Sequence, residues 1–247
     1  MTTQPTAIVS GCAHGIGAAG VRDMAERGWK LALLDRDDAV RDVATDVGAA
    51  HWSVVDAGDA GALDAAVCNA MDALGDVNAV WSNAGVQISG DIEAVTADQW
   101  EQSWAVNVRA HALLSRATLP ALRASRGSFL VTSSNSGLLA ESEMVAYSVT
   151  KAAAIALVRC LARDHASSGI RFNALCPGYV DTAFNGPIWS LVGGRDEFLN
   201  QVGTTIPLGR MASAEEIGRL AAWLLTDERA AYMTGQAIVA DGGETLV

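Results

Sequence analysis

Short apolar runs recur along the chain, separated by longer stretches in which apolar residues return every three or four positions. Seven runs read as strands: Thr6–Ser10 (TAIVS), Lys30–Asp35 (KLALLD), 52–56 (WSVVD), 77–82 (VNAVWS), Ser128–Thr132 (SFLVT), 171–176 (RFNALC) and 236–240 (QAIVA). Several carry a continuous apolar stretch instead of an alternating one, which is the pattern of parallel strands covered on both faces. Helical periodicity covers 16–27, Ala60–Leu74, 97–122, 146–166 and 214–225, and Gly28 follows the first as a stop. Strands and helices alternating over short connections predict an α/β fold, a single domain built on a doubly wound parallel sheet with helices on both faces. One segment breaks the rhythm. Residues 183–207 mix Gly, Pro, Asn and Trp with little periodicity, and a long irregular segment inside a compact domain is usually functional or disordered. It is expected to be a loop that closes over a ligand as a lid.

Composition narrows the picture. The 247 residues are half hydrophobic, enough for one large core. A net charge of −11 argues against nucleic acid as a partner, because phosphate binding needs clustered Lys and Arg. The mean hydropathy of +0.21 raises the question of a membrane span. The longest uninterrupted apolar stretch, 152–158, is closed off by Lys151 and Arg159, whereas a span needs about 20 residues, so none is expected. The N-terminus shows neither a basic segment nor an apolar one of the secretory kind. Cys12, Cys68, Cys160 and Cys176 are widely spaced, without a CxxC pair, and read as reduced thiols. The four histidines are scattered too, so no metal site is expected, and the expected address is the cytoplasm.

Two places carry chemistry. Directly after the first strand comes Ser10-Gly11-Cys12-Ala13-His14-Gly15-Ile16-Gly17, and then a helix. Glycines permit a tight turn and close approach of backbone amides to a pyrophosphate, and the helix N-terminus adds oriented N–H groups. His14 reads as a turn residue touching such a ligand. The second strand ends at Asp35, whose carboxylate suits both hydroxyls of an adenosine ribose and repels a 2′-phosphate, favouring NAD over NADP. Arg36 beside it partly offsets the repulsion. The second place is Tyr147-Ser-Val-Thr-Lys151, which puts a phenol and an ammonium one helical turn apart, ~6 Å along the axis. A phenol with a pKa of about 10 is no base at neutral pH, but nearby positive charge favours the phenolate. Ser134, just beyond the Ser128–Thr132 strand, is placed to orient a substrate oxygen.

Taken together, these residues resemble the short-chain dehydrogenases/reductases of the simple, single-domain type, over nearly the whole chain. Gly11, Gly15 and Gly17 are similar to that family's cofactor turn, with Ser10 where Thr is usual. Asn83-Ala84-Gly85 resembles its NNAG motif, with Ser82 replacing the first Asn. Asp56, with Ala57 beside it, sits where the family binds the adenine. Asn107 matches the Asn that holds a water in the proton relay. Ser134, Tyr147 and Lys151 match the other catalytic members. Pro177-Gly178-Tyr179-Val180-Asp181-Thr182 resembles the segment that holds the nicotinamide carboxamide, and Asp241-Gly242-Gly243 the family's closing turn.

The resemblance implies a Rossmann fold and hydride transfer between NAD(H) and a secondary alcohol or ketone. Tyr147 acts as acid/base, Ser134 on the substrate oxygen, Lys151 on the ribose and on the Tyr pKa. Two alternatives stay open: reduction of a carbonyl or C=C bond with NADP, and a dinucleotide sensor without turnover. The substrate is expected among Gln87, Ser136, Leu138, Met144, Tyr179, Phe184, Ile188 and Trp189. Apolar lid residues suggest either a moderately hydrophobic substrate or docking of the lid. Arg195 reads as solvated beside Asp196 and Glu197, the other reading being a contact with a substrate carboxylate. Trp100 and Trp104 look like helix packing or a subunit contact. Helices 97–122 and 146–166 are apolar on more than one face, and the family pairs these two between subunits, so a homotetramer (or a homodimer) is expected.

Overall fold

The computed structural model describes residues 4–246. Seven parallel strands form one sheet: β1 (Thr6–Ser10), β2 (Lys30–Asp35), β3 (His51–Val54), β4 (Ala79–Ser82), β5 (Ser128–Thr132), β6 (Arg171–Pro177) and β7 (Ala237–Ala240). Their order is β3-β2-β1-β4-β5-β6-β7. β1, β4 and β5 are buried at every position, which is why they are apolar apart from small Ser and Thr residues at their ends. β3 lies at an edge and leaves Trp52 and Val54 exposed. It stops at Val54, so Asp56 falls in the turn that follows instead of ending the strand.

Helices cover both faces: α1 (Gly15–Glu26), α2 (Val40–Asp46), α3 (Ala60–Leu74), α4 (Ala97–Trp104), α5 (Ala110–Ser125), α6 (Val145–His165), α7 (Gly186–Leu191), α8 (Arg195–Thr205) and α9 (Ala214–Thr226). One core packs α3, α5 and α6 against the sheet and the other packs α1, α2 and α9. Trp81 of β4 anchors the second, fully buried, with its indole N–H donating to the Thr132 hydroxyl at 2.9 Å. Trp81→Ala would cost ~3–5 kcal/mol by the usual cost of such a cavity.

Three expectations need correction. The helix over 97–122 is not one α-helix: Ala105–Arg109 forms a π-helical turn between α4 and α5. The irregular 183–207 segment is largely helical, as α7 and α8. α8 buries only Phe198 and Val202, which give too thin an apolar stripe to register as periodicity. Phe198, Val202, Ile206 and Met211 form a small cluster of their own with Tyr179, Ile188 and Trp189, separate from the two main cores. Third, Val145–Ser168 is long and apolar enough, by length and composition, to cross a membrane, although no uninterrupted run suggested it. Its inner face carries the buried Tyr147, Thr150 and Lys151 against the sheet, the placement of a core helix.

Candidate active site

The strand order reverses between β1 and β4, and open α/β sheets bind ligands in the crevice beyond the strand ends at such a point. A cavity of about 340 Å³ opens there, running from Asp35 and Arg36 to Ser134, Tyr147 and Phe184. Its floor is the glycine turn. Gly11 has φ +69°, and a Cβ there would fall 2.5 Å from the Ala84 nitrogen, so the turn lies directly on the loop after β4. Asn83 staples the two together, its amide donating to the Gly11 carbonyl at 2.5 Å and its Oδ1 accepting from the Thr132 hydroxyl at 2.8 Å. The Asn83 side chain thus holds the turn in shape, while Ser10, Gly11, Gly15, Ile16, Ala84 and Gly85 line the cavity.

At the far end, Asp35 accepts from the Ala13 N–H at 2.8 Å and the Asp37 N–H at 2.9 Å, which fixes its carboxylate at the cavity edge. His14 also lines the cavity, but its Nε2 pairs with exposed Asp37 at 2.9 Å. Asp56 accepts from the Gly58 N–H at 2.8 Å and, with Ala57, closes this end.

At the other end, Ser134 caps a 3-10 turn and α6 delivers Tyr147 and Lys151 from one buried face. The Lys151 Nζ donates to the Thr132 carbonyl at 2.9 Å and lies 5.5 Å from the centre of the Tyr147 ring. Asn107 sits in the π-helical turn, fully buried, and is anchored on all sides. Its Oδ1 accepts from the Val86 N–H at 2.9 Å, and its amide donates to the Val86 carbonyl and the Thr150 hydroxyl. A Cβ added at Gly85 would lie 3.3 Å from Lys151 Nζ and 3.4 Å from Asn107 Oδ1. The space between these two groups therefore exists only because residue 85 has no side chain.

Pro177, Gly178 and Val180 follow β6 along the opposite wall, and Thr182 touches the position where a Cβ of Gly15 would be. Of the residues expected around a substrate, Gln87, Ser136, Tyr179, Phe184 and Ile188 line the cavity. Leu138, Met144 and Trp189 do not. Leu138 points to solvent, Met144 is buried against Ser89, and Trp189 packs in the small cluster around Phe198 and Val202. Arg195 is neither free beside Asp196 and Glu197 nor turned to the cavity: it donates to Asp181 at 2.6 Å and lies over the Trp189 ring. Trp104 is half exposed on α4.

A family model described as Enoyl-(Acyl carrier protein) reductase matches residues 11–245. The chain belongs to the short-chain dehydrogenase/reductase family. Among relatives of this dehydrogenase/reductase, Oxidoreductase UcpA of Escherichia coli (strain K12) is 34% identical over 252 residues, covering 99% of this chain and 95% of that protein. Meso-2,3-butanediol dehydrogenase of Serratia marcescens is 30% identical over 241 residues, covering 96% and 93%. The crystal structure of levodione reductase superposes with a TM-score of 0.92 over 98% of each chain, at 24% identity, a likeness of fold.

The family binds a nicotinamide dinucleotide, and the residues of this short-chain dehydrogenase/reductase fit one: a glycine-floored cavity ends in the Asp35 carboxylate on one side and a Ser-Tyr-Lys cluster on the other. Burial sets the electrostatics of that cluster. It pushes the Tyr147 phenol well above its ordinary value, the Ser134 hydroxyl works the other way, and the charge of Glu141 adds to the rise. Burial brings Lys151 down to about 8. Beneath them His111, which shares a 2.6 Å hydrogen bond with Ser82, is held down to about 3 by burial and by the Lys151 charge, and so stays neutral.

Glu141 was missed in the sequence, as were Val106 and Asn185, all of which line the cavity. Val106 and Asn185 carry no chemical signature. For Glu141 the only available signal was a carboxylate in the short loop between Ser134 and Tyr147.

Proposed function

We propose that this oxidoreductase is NAD-dependent and moves a hydride between the nicotinamide and a secondary alcohol or ketone, with Tyr147 as acid/base. The observation that carries the reading is the single cavity joining Asp35 to Ser134, Tyr147 and Lys151. Bound there, the cofactor supplies the hydride acceptor in oxidation and the hydride donor in reduction. In oxidation Tyr147 takes the alcohol proton, Ser134 hydrogen-bonds the same oxygen, and Lys151 with Asn107 passes the proton onward through water. In reduction Tyr147 returns the proton to the carbonyl oxygen. Positive charge from Lys151 and from the oxidised cofactor opposes the burial that otherwise keeps Tyr147 protonated. Asp35, with Asp37 and Asp38 close behind it, makes the ribose end acidic and unfavourable to a 2′-phosphate despite Arg36. The chain is proposed to work in the cytoplasm as a homotetramer, without nucleic acid or membrane.

Reduction of a C=C bond is the second reading, favoured by the description of the matched family model. The test is a thermal-shift titration with NAD⁺, NADH, NADP⁺ and NADPH, followed by 340 nm assays on secondary alcohols, ketones and an enoyl thioester. The largest shift with NAD(H) and turnover of alcohols or ketones are expected. Turnover of the enoyl thioester alone supports the second reading, and no shift with any dinucleotide overturns both.

A further inference from the structure

The substrate end of the cavity holds a group that the hydride chemistry does not use. Glu141 lines the cavity beside Ser134, in the loop that leads into α6. One of its oxygens accepts a very short hydrogen bond from the Ser136 hydroxyl, and the other accepts from the Tyr179 hydroxyl at 3.2 Å. Ser136 Oγ is in turn 3.1 Å from Ser134 Oγ. The Glu141 carboxyl therefore stands two hydrogen bonds away from the hydroxyl that meets the reacting oxygen. A carboxylate offers about four acceptor positions, and the protein fills two of them here.

A second acceptor faces the same space: Gln87 Oε1 is buried without a hydrogen-bond partner and its residue lines the cavity. Buried acceptors left without donors are costly and usually find a partner in a ligand or water. Cations follow the opposite distribution. Among the described residues lining the cavity, those able to carry positive charge are His14, Arg36 and Lys151. The first two stand at the ribose end and the third is turned to the Thr132 carbonyl. Arg195, the nearby candidate from the lid, is engaged by Asp181. The remaining wall is apolar, with Phe184 packed 6.4 Å from the Tyr147 ring and Ile188 beside it.

We propose that Glu141 is the specificity-determining residue of the site, its carboxyl accepting a hydrogen bond from a hydroxyl on the carbon next to the reacting one. The substrates are then neutral α-hydroxy ketones and the vicinal diols they interconvert with, and keto acids are disfavoured. This rests on the oxidoreductase reading above. A substrate oxygen held by Ser134 and Tyr147 leaves the neighbouring carbon facing the next acceptor along the Ser134–Ser136–Glu141 chain. A site that hydrogen-bonds a substrate hydroxyl discriminates strongly against the analogue lacking it, because the acceptor is left unpaired.

The test compares three four-carbon probes with NADH and the intact enzyme: 3-hydroxybutan-2-one, butan-2-one and 3-oxobutanoate. Values of kcat/KM are expected to fall in that order, with the hydroxy ketone ahead of the plain ketone by at least about tenfold, the worth of one charge-assisted hydrogen bond. Glu141→Gln, close in shape but neutral, should collapse that preference about tenfold or more, and Glu141→Leu should abolish it. A reading independent of turnover is the thermal shift of the NADH complex with butane-2,3-diol against butan-2-ol: the diol should stabilise the wild type more, and the variants equally. If a Glu141 variant fails to fold, the wild-type ratio and the diol shift decide alone. Turnover of butan-2-one without a hydroxyl preference, or a preference that survives in both variants, overturns the role of Glu141 and leaves the oxidoreductase reading standing. No turnover of any probe, with any secondary alcohol also inert, overturns both.

Discussion

Tyr147 and Lys151 are buried one helical turn apart, and burial pushes each towards its neutral form, the phenol up and the ammonium down to about 8. For Lys151 the consequence for stability has a definite sign. Its folded pKa lies below its unfolded value of 10.5, so the unfolded chain binds the proton more tightly. The cost is fully present below pH 8 and disappears as pH rises through 10.5. Lys151→Met should abolish turnover and remove this cost while leaving the buried Thr132 carbonyl without its donor, so its melting temperature relative to the wild type should fall as pH rises from 8 to 10.5, which a pH series of thermal melts checks. A difference in melting temperature that did not change with pH would refute it. Tyr147→Phe should lower kcat by about 10²–10⁴ with NADH affinity nearly unchanged, measured by steady-state kinetics and fluorescence titration. Asp35→Ala should weaken NAD and relax discrimination against NADP; a cofactor preference that did not move would remove Asp35 from the ribose. These residues were legible because each has a chemical type at a fixed spacing. Glu141 was not, since nothing in the sequence tells which carboxylate a loop will turn inward.

At the scale of elements, the strands were readable because parallel strands buried on both faces are apolar along their middles, with only small hydroxyl residues at the ends, as β1 and β5 show. α2 escaped because it is seven residues long and buries Val40, Val43 and Ala44 only. The π-helical turn at Ala105–Arg109 escaped for another reason: one extra residue per turn leaves the composition untouched and shows only as a slip in register. That slip sits where Asn107 meets Val86 and Thr150, so irregular backbone coincides with the side chain proposed for the proton relay. α7 and α8 were hidden because they bury their few apolar residues on a separate small cluster. An element held by so few contacts opens more readily than the body. Hydrogen-exchange mass spectrometry should show α8 amides exchanging at least about tenfold faster than those of α6, and equal protection would mean α8 is part of the main cooperative unit.

Across the whole molecule, the apolar surplus of the helices is visible on the outside of α6, where Val149 is half exposed and Ala152 and Ala156 are exposed beside it. This face is the one proposed to pair between subunits. Light scattering at micromolar concentration should give a tetramer mass, and a monomer mass would refute the assembly. The sheet carries a further consequence. Its strand order makes β1 pair with β4 as well as β2, so β2 and β3 lie between β1 and β4 in the chain. The cavity takes its walls from segments that follow β1, β2, β3, β4, β5 and β6. No early fragment of the chain contains a binding site, and every step that closes a sheet pair must span a long loop. Refolding should thus be slow, and a dinucleotide, which recognises only the finished assembly, should leave the rate of folding unchanged while slowing the rate of unfolding.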